Sequence, residues 1–495
     1  MKKISQTLMK GAVLTILISL FTPVSALDKP KTMEDMWKII QAQQKQIDEM
    51  KAGMETAPKI SASKSDQHPE NKTATSNVQN SETKVSISNV KTLERKTNIL
   101  SQEVEKLRTN LAIPEEKQLK SAYGLGPAAS KVYHVNKGLS IGGYGEAIYQ
   151  DIVSDHGDSE AKSNADLERM VLYVGYKFTD RILMNSEIEF EHASSGEGAE
   201  QKGEVSAEFL NLDFFINPLA NIRTGLVLMP MGMINRIHEP LFYFGNHRPV
   251  VDQLIIPTTW REMGVGIFGA ITPNLTYTAY VTTGLNAKGF SSDGIREGTG
   301  GGSMALAQNF GYVGQVNYEP KALPGVTVGG AAFVGNSGQD QVYNGQKPNV
   351  FTQLYETHVQ WRYRGLEFRT LGSWGHINDA GILSAAAKAN GLGPIGSQNY
   401  GWYSEVGYDV LPLMFKDTPQ YLAPFFRYEK YNTIAKAPEG FTNDPTIPTK
   451  NQRVFQVGLQ YKPIPQVVIK ADYRNFSAAS GSLPDDFNLG FGFIF

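Results

Sequence analysis

Residues 139–495 repeat one pattern. Segments of about ten residues alternate large apolar side chains with polar or small ones, the span a tilted membrane strand needs. Neighbouring side chains on a strand point to opposite faces, so this alternation predicts strands with one greasy face and one wet face. The last segment is the plainest. In Asp486–Phe495, Phe487, Leu489, Phe491, Phe493 and Phe495 share one face, while Asn488, Gly490 and Gly492 share the other. As a soluble edge this strand would invite aggregation. As the closing strand of a membrane barrel it gains lipid on its apolar face and a partner along each edge.

The predicted strands are Leu139–Gln150, Asp166–Lys177, Arg181–His192, Glu204–Ile216, Asn221–Pro230, Thr258–Ile271, Leu275–Leu285 and Asn309–Glu319. They continue with Gly325–Gly335, Asn349–Tyr363, Gly365–His376, Asn399–Asp409, Gln420–Tyr431, Gln452–Pro463, Pro465–Phe476 and Asp486–Phe495. The connections alternate long and short, as in barrels with short turns at one end and long loops at the other. The short ones include Phe178–Asp180, Asn217–Ala220, Thr272–Asn274 and Arg364. The expected fold is therefore all-β and transmembrane: an antiparallel up-and-down barrel of about 16 strands over residues 139–495, preceded by a short N-terminal α-helical coiled coil.

Parity assigns the faces. Ile182, Met184, Ile188 and Phe190 should meet lipid, which leaves Glu187, Glu189 and Glu191 inside. The same rule turns Glu356, His358, Arg362, Arg369, Lys470 and Arg474 toward a lumen wide enough for water. Gln420–Tyr431 is apolar on both parities and leaves Arg427 unassigned.

The third long loop, Met231 to Pro257, differs from the Gly- and Ser-rich others. It carries Phe242, Tyr243 and Phe244, a late apolar run and several prolines. That much apolar surface needs a wall to pack on. Folded into the barrel, its Arg236, His238, Glu239, His247, Arg248 and Asp252, with Arg261 and Glu262 on the next strand, would narrow and charge the pore. Packed on a neighbouring subunit, it would act as a latch.

Ahead of the strands the pattern changes. Residues 1–26 join Lys2 and Lys3 to an apolar run and end on Val24-Ser-Ala26, the layout of a secretory signal peptide. Residues 27–56 and 85–113 carry heptads, through Met33, Ile40, Ile47 and Met54, then Val90, Thr97, Val104 and Leu111. Residues 57–84 should form a flexible polar linker, and residues 114–138 a second linker.

Composition narrows the chemistry. There is no cysteine, the hydrophobic share is 41%, and the formal net charge is −2. A nucleic-acid role is disfavoured by that charge. Gly138-Leu-Ser140-Ile-Gly142 and Gly264-Val-Gly266-Ile-Phe-Gly269 match enzyme motifs by chance, because neither joins a strand to a helix. Glu187, Glu189 and Glu191 read as a wetted wall in preference to a metal cluster, and the eight histidines are scattered. No catalytic residue, metal or cofactor is expected, and the chain does not read as an enzyme.

The barrel region resembles the trimeric outer-membrane porins in strand count, loop rhythm, unusual third loop and terminal Phe495. Gly143-Tyr-Gly-Glu146, Tyr173–Arg181 and Ile256–Glu262 look like the branch of phosphate-selective and DcaP-like porins, the latter with a periplasmic coiled coil. The resemblance implies an outer-membrane location in a Gram-negative bacterium, with the N-terminal segment in the periplasm. It implies a homotrimer set in the lipid bilayer beside lipopolysaccharide, and recognition of Phe495 by the barrel-assembly machinery. It also implies passive diffusion of small hydrophilic solutes, anionic ones among them, with the third loop as constriction. A barrel-anchored structural tether acting through the coiled coil is the alternative, and an outer-membrane hydrolase is a third.

Overall fold

The computed structural model describes residues 120–154, 162–194, 203–415 and 418–495. The signal peptide, both heptad segments and the polar linker lie outside these residues. Sixteen strands form one closed antiparallel barrel. They are β1 Gly138–Ser154, β2 Asn164–Thr179, β3 Ile182–Glu191, β4 Val205–Phe214, β5 Asn221–Leu228, β6 Arg261–Thr272, β7 Leu275–Thr283 and β8 Phe310–Tyr318. The set closes with β9 Val326–Asn336, β10 Phe351–Tyr363, β11 Leu366–Ile377, β12 Gln398–Tyr408, β13 Tyr421–Lys436, β14 Asn451–Ile464, β15 Val467–Ala478 and β16 Asp485–Ile494. Each predicted strand has its counterpart within a few residues, except that β13 runs on to Lys436.

Every strand pairs with its sequence neighbours, and β16 returns to pair with β1, Tyr144 opposite Ile494. Phe495 completes the seam: its N–H donates to the Gly143 carbonyl at 2.9 Å and its own carbonyl accepts from the Gly143 N–H at 3.0 Å. Closure removes both edges, so an all-apolar outer face carries no free strand edge. A two-residue hairpin joins β10 to β11 through Arg364 and Gly365, with φ of 49° and 86°. Positive φ at both central residues matches the twist of the flanking strands.

Parity holds along most strands. Phe487, Leu489, Phe491 and Phe493 are exposed on the outer face, and Asp486 and Asn488 are buried inside. In β13, Ala423, Phe425, Arg427, Glu429 and Tyr431 point inward, which settles Arg427 as a lumen residue. Among the described residues no helix is long and apolar enough to cross a membrane. The strands supply the apolar outer belt, as a barrel in lipid requires.

The two enzyme-like glycine motifs lie within β1 and β6, and among the described residues no helix follows either motif directly. The stretch expected to be a linker is, from Lys120 onward, packed structure. Leu125, Ala128, Ala129 and Val132 are fully buried, and Lys131–His134 makes one helical turn.

Candidate functional site

The barrel interior is the site, and two elements enter it. The first is the loop between β5 and β6, residues 229–260. Its apolar residues Met229, Met231, Val251, Ile255, Ile256 and Trp260 are buried in one cluster with Phe333, Leu354, Leu371 and Tyr403 of the strands. Its polar backbone groups need partners once out of water, and the far walls supply them. The Gly232 N–H donates to Glu356 at 3.3 Å, the Val251 N–H to Glu429 at 3.1 Å and the Asn246 N–H to Asp472 at 2.8 Å. The Tyr243 hydroxyl donates to Glu146 at 2.7 Å. Loop 229–260 therefore folds inward and touches walls on opposite sides of the lumen. Phe244 stacks on Phe425 at 5.1 Å and sits over Gly407, where any Cβ would collide with its ring.

The second element is residues 120–137, which occupy the short-turn end. Glu239 of the loop accepts from the Ala128 N–H at 2.9 Å and the Ala129 N–H at 3.3 Å. Asn185 donates to the Ala129 carbonyl at 2.8 Å, and Lys177 to the Val135 carbonyl at 3.1 Å. Val132 lies against Gly175, where a Cβ would come within 2.6 Å. Tyr133 donates to Asp213 at 2.8 Å and accepts from Arg223 at 2.9 Å. Burial pushes the Tyr133 hydroxyl well above its ordinary value, so it stays a donor. Glu239 thus links the loop to this segment.

The sequence-predicted residues fall into distinct places. Arg236 donates to Gln315 and, at 3.3 Å, to Thr278. His238 lies 3.0 Å from Glu187. His247 lies 3.3 Å from Asn488, and Arg248 donates to Thr258 at 2.6 Å within the loop itself. Asp252 is buried, and burial pushes its carboxyl up to about 7. Arg261 donates to Glu208 at 3.1 Å. Glu262 does something else: it accepts from Thr283 at 2.6 Å and from the Gly300 N–H at 2.8 Å, so it anchors the next external loop.

On the walls, Glu356 and His358 pair at 2.9 Å, and Arg362 reaches Glu367 at 3.5 Å. Arg369 reaches Glu405 at 2.7 Å, and Arg474 clasps Asp486 at 2.9 and 2.6 Å. The Lys470 ammonium sits 3.9 Å over the Tyr243 ring. Glu187 and Glu189 are buried beside the loop. These walls were expected to be wet; they are covered instead, because the loop and residues 120–137 lie on them. A small crevice with room for about one water lies beside β1, lined by Glu146, Glu168, Asn246 and Lys470.

Sequence reasoning missed Glu208, Arg223 and Arg427 as lumen groups. Glu208 is the instructive case. β4 carries a bulge against β3, where Glu187 pairs with Phe209 and Ile188 with Ala207. Glu208 is the extra residue, and both it and Phe209 are buried. Counting back from Asn211 and Asp213 would turn Glu208 toward lipid, and that misfit was the available signal.

No protein-family model matches the chain. A protein of Aquifex aeolicus (strain VF5), described as uncharacterized, is 36% identical over 360 residues, covering 71% of this chain and 78% of that one. Among solved structures, Salmonella typhi OmpF in complex with daunomycin matches with a TM-score of 0.50 at 13% identity, covering 73% of this chain and 98% of that chain. The outer membrane channel DcaP of Acinetobacter baumannii matches with a TM-score of 0.46 at 12% identity, covering 72% and 97%. The first of these structures shows the fold to be the 16-strand porin barrel, and the chain belongs to one family with the Aquifex aeolicus protein.

Proposed function

We propose that the chain is an outer-membrane porin, a passive channel for small hydrophilic solutes, with loop 229–260 as its constriction. The observation that carries this reading is a loop folded inside a 16-strand barrel onto an inner wall of charged side chains. Within it, Arg236 and Arg248 bias the passage toward anions, and residues 120–137 occlude the short-turn end. Three such barrels assemble side by side in the bilayer, facing lipopolysaccharide outside, with the N-terminal helices in the periplasm. Phe495 serves as the address read by the assembly machinery, and its place at the barrel seam supports that role.

Liposome swelling with sugars, phosphate and dicarboxylates tests the proposal. Graded, size-limited uptake is expected, and Arg236→Ala with Arg248→Ala should lower the preference for anions. Vesicles that stay impermeable to every solute would reject the channel.

A second reading, a barrel that anchors a periplasmic tether, is favoured by the burial of the lumen side chains under the two inserted elements. Under it, removal of residues 120–137 opens no path.

A further inference from the structure

Three acceptors converge where the loop meets β3 and β4. The His238 Nδ1 lies 2.9 Å from the Asn235 carbonyl oxygen. A carbonyl can only accept, so Nδ1 carries a hydrogen and the Nε2 lone pair faces away from it. It faces two carboxylates, with Glu187 Oε1 at 3.0 Å and Glu208 Oε2 at 3.5 Å. Ligand atoms of the three residues all lie within 4.8 Å of one another. Glu187, Glu208 and His238 are 0%, 1% and 2% exposed. Glu187 Oε2 and Glu208 Oε2 are buried without a hydrogen-bond partner. Arg261 meets one oxygen of Glu208, and the remaining acceptors, gathered out of water, repel unless a further cation lies among them.

The surroundings favour a built site. The Tyr173 hydroxyl donates to Glu187 Oε1 at 3.1 Å and Arg261 donates to Glu208 Oε1 at 3.1 Å. Tyr173 thus holds Glu187 by the oxygen that faces His238, with Oε2 left without a partner, and Arg261 holds Glu208 by the oxygen other than the one facing His238. The backbone carbonyl holds the imidazole in the same way, the usual outer support of a metal-ligating histidine. Glu208 reaches this spot only through the bulge in β4.

We propose that Glu187, Glu208 and His238 bind a divalent transition-metal ion, which staples the inward-folded loop to the barrel wall. One imidazole and two carboxylates suit zinc-like ions. The rival is a single proton shared between His238 and Glu187.

The test uses the full chain, stripped with a chelator and titrated with Co²⁺. About one ion per chain is expected, with visible absorption characteristic of a low-coordinate site. Glu208→Gln and His238→Ala should each weaken binding at least about 100-fold. Glu191→Gln, on the same strand outside the cluster, should leave it unchanged. Glu208→Gln keeps the shape of the bulged side chain and remains informative where His238→Ala disturbs the loop. Absence of stoichiometric Co²⁺ from the native chain would overturn the proposal, as would binding that neither substitution weakens.

Discussion

The two sides of the lumen handle buried charge differently. On β11–β16, Glu405 and Asp486 meet cations on the wall itself, while Glu429 and Asp472 also hold backbone N–H groups of the loop. Glu405 receives both Arg369, at 2.7 Å, and Arg427, at 2.8 Å, and Asp486 receives Arg474. On β3 and β4, Asp213 pairs with Arg223 of β5, but two further acids share a histidine of the loop. Glu187 is met by Tyr173 and His238, and Glu208 by Arg261 and His238. Glu239, which faces this side from the loop, takes two backbone N–H groups of residues 120–137. A wall that pairs its own charges is a fixed seat. A wall with spare acceptors takes donors from separate segments, so it is the side from which something can undock.

The largest effect should come from breaking the fixed seat. Arg427 bonds Glu405, Gln456 and the carbonyls of Phe244 and His247. Arg427→Ala leaves Glu405 buried with a charge partner lost, a cost of about 3–5 kcal/mol. The urea midpoint should fall, and loop 229–260 should become sensitive to protease. On the other side, Val132→Asp puts a charge against Gly175 and should release residues 120–137 alone. Trypsin should then cut after Lys131 while the barrel's own midpoint stays put. A coupled fall of the midpoint would show that the two sides are not separable.

Smaller effects sharpen the contrast. Glu239→Gln keeps an acceptor for Ala128 and Ala129 without its charge. The loss should be about 1 kcal/mol, read as roughly fivefold faster hydrogen exchange at those two amides. Asp252 should give an effect that depends on pH. Burial raises its carboxyl from 3.8 to about 7, Tyr403 opposes the rise, and Glu356, Glu429 and Glu405 on the facing strands add to it. The folded state favours the protonated form. Its contribution is therefore full below about pH 4 and is lost as pH rises through about 7. The urea midpoint should fall between pH 5 and pH 8, and Asp252→Asn should flatten that fall.

Much of the barrel was legible because lipid and water face opposite sides of each strand. Ile182, Met184 and Phe487 announce one face, and Glu187 and Lys470 the other. Where that contrast fails, so does the reading. β13 is apolar on both parities because Phe426 faces outward while Phe425 faces Phe244 of the loop. Glu208 was hidden by a bulge, a property of pairing that leaves parity broken in one place. Residues 120–137 show no period. Their small residues, Gly124, Gly126, Ala128 and Ala129, fit them to a confined end of the barrel and give no helical or strand stripe. The loop's apolar residues were visible from sequence, but the choice between lumen and neighbour needed the partner groups Glu356, Glu429 and Asp472, which lie far along the chain.

Planar-bilayer recording on the full chain and on a chain lacking residues 120–137 tests the channel most directly. Small discrete conductance steps are expected from the full chain, and steps about tenfold larger once the short-turn end is clear. A correctly assembled barrel that passes no current in either form would contradict the channel and leave the anchored tether.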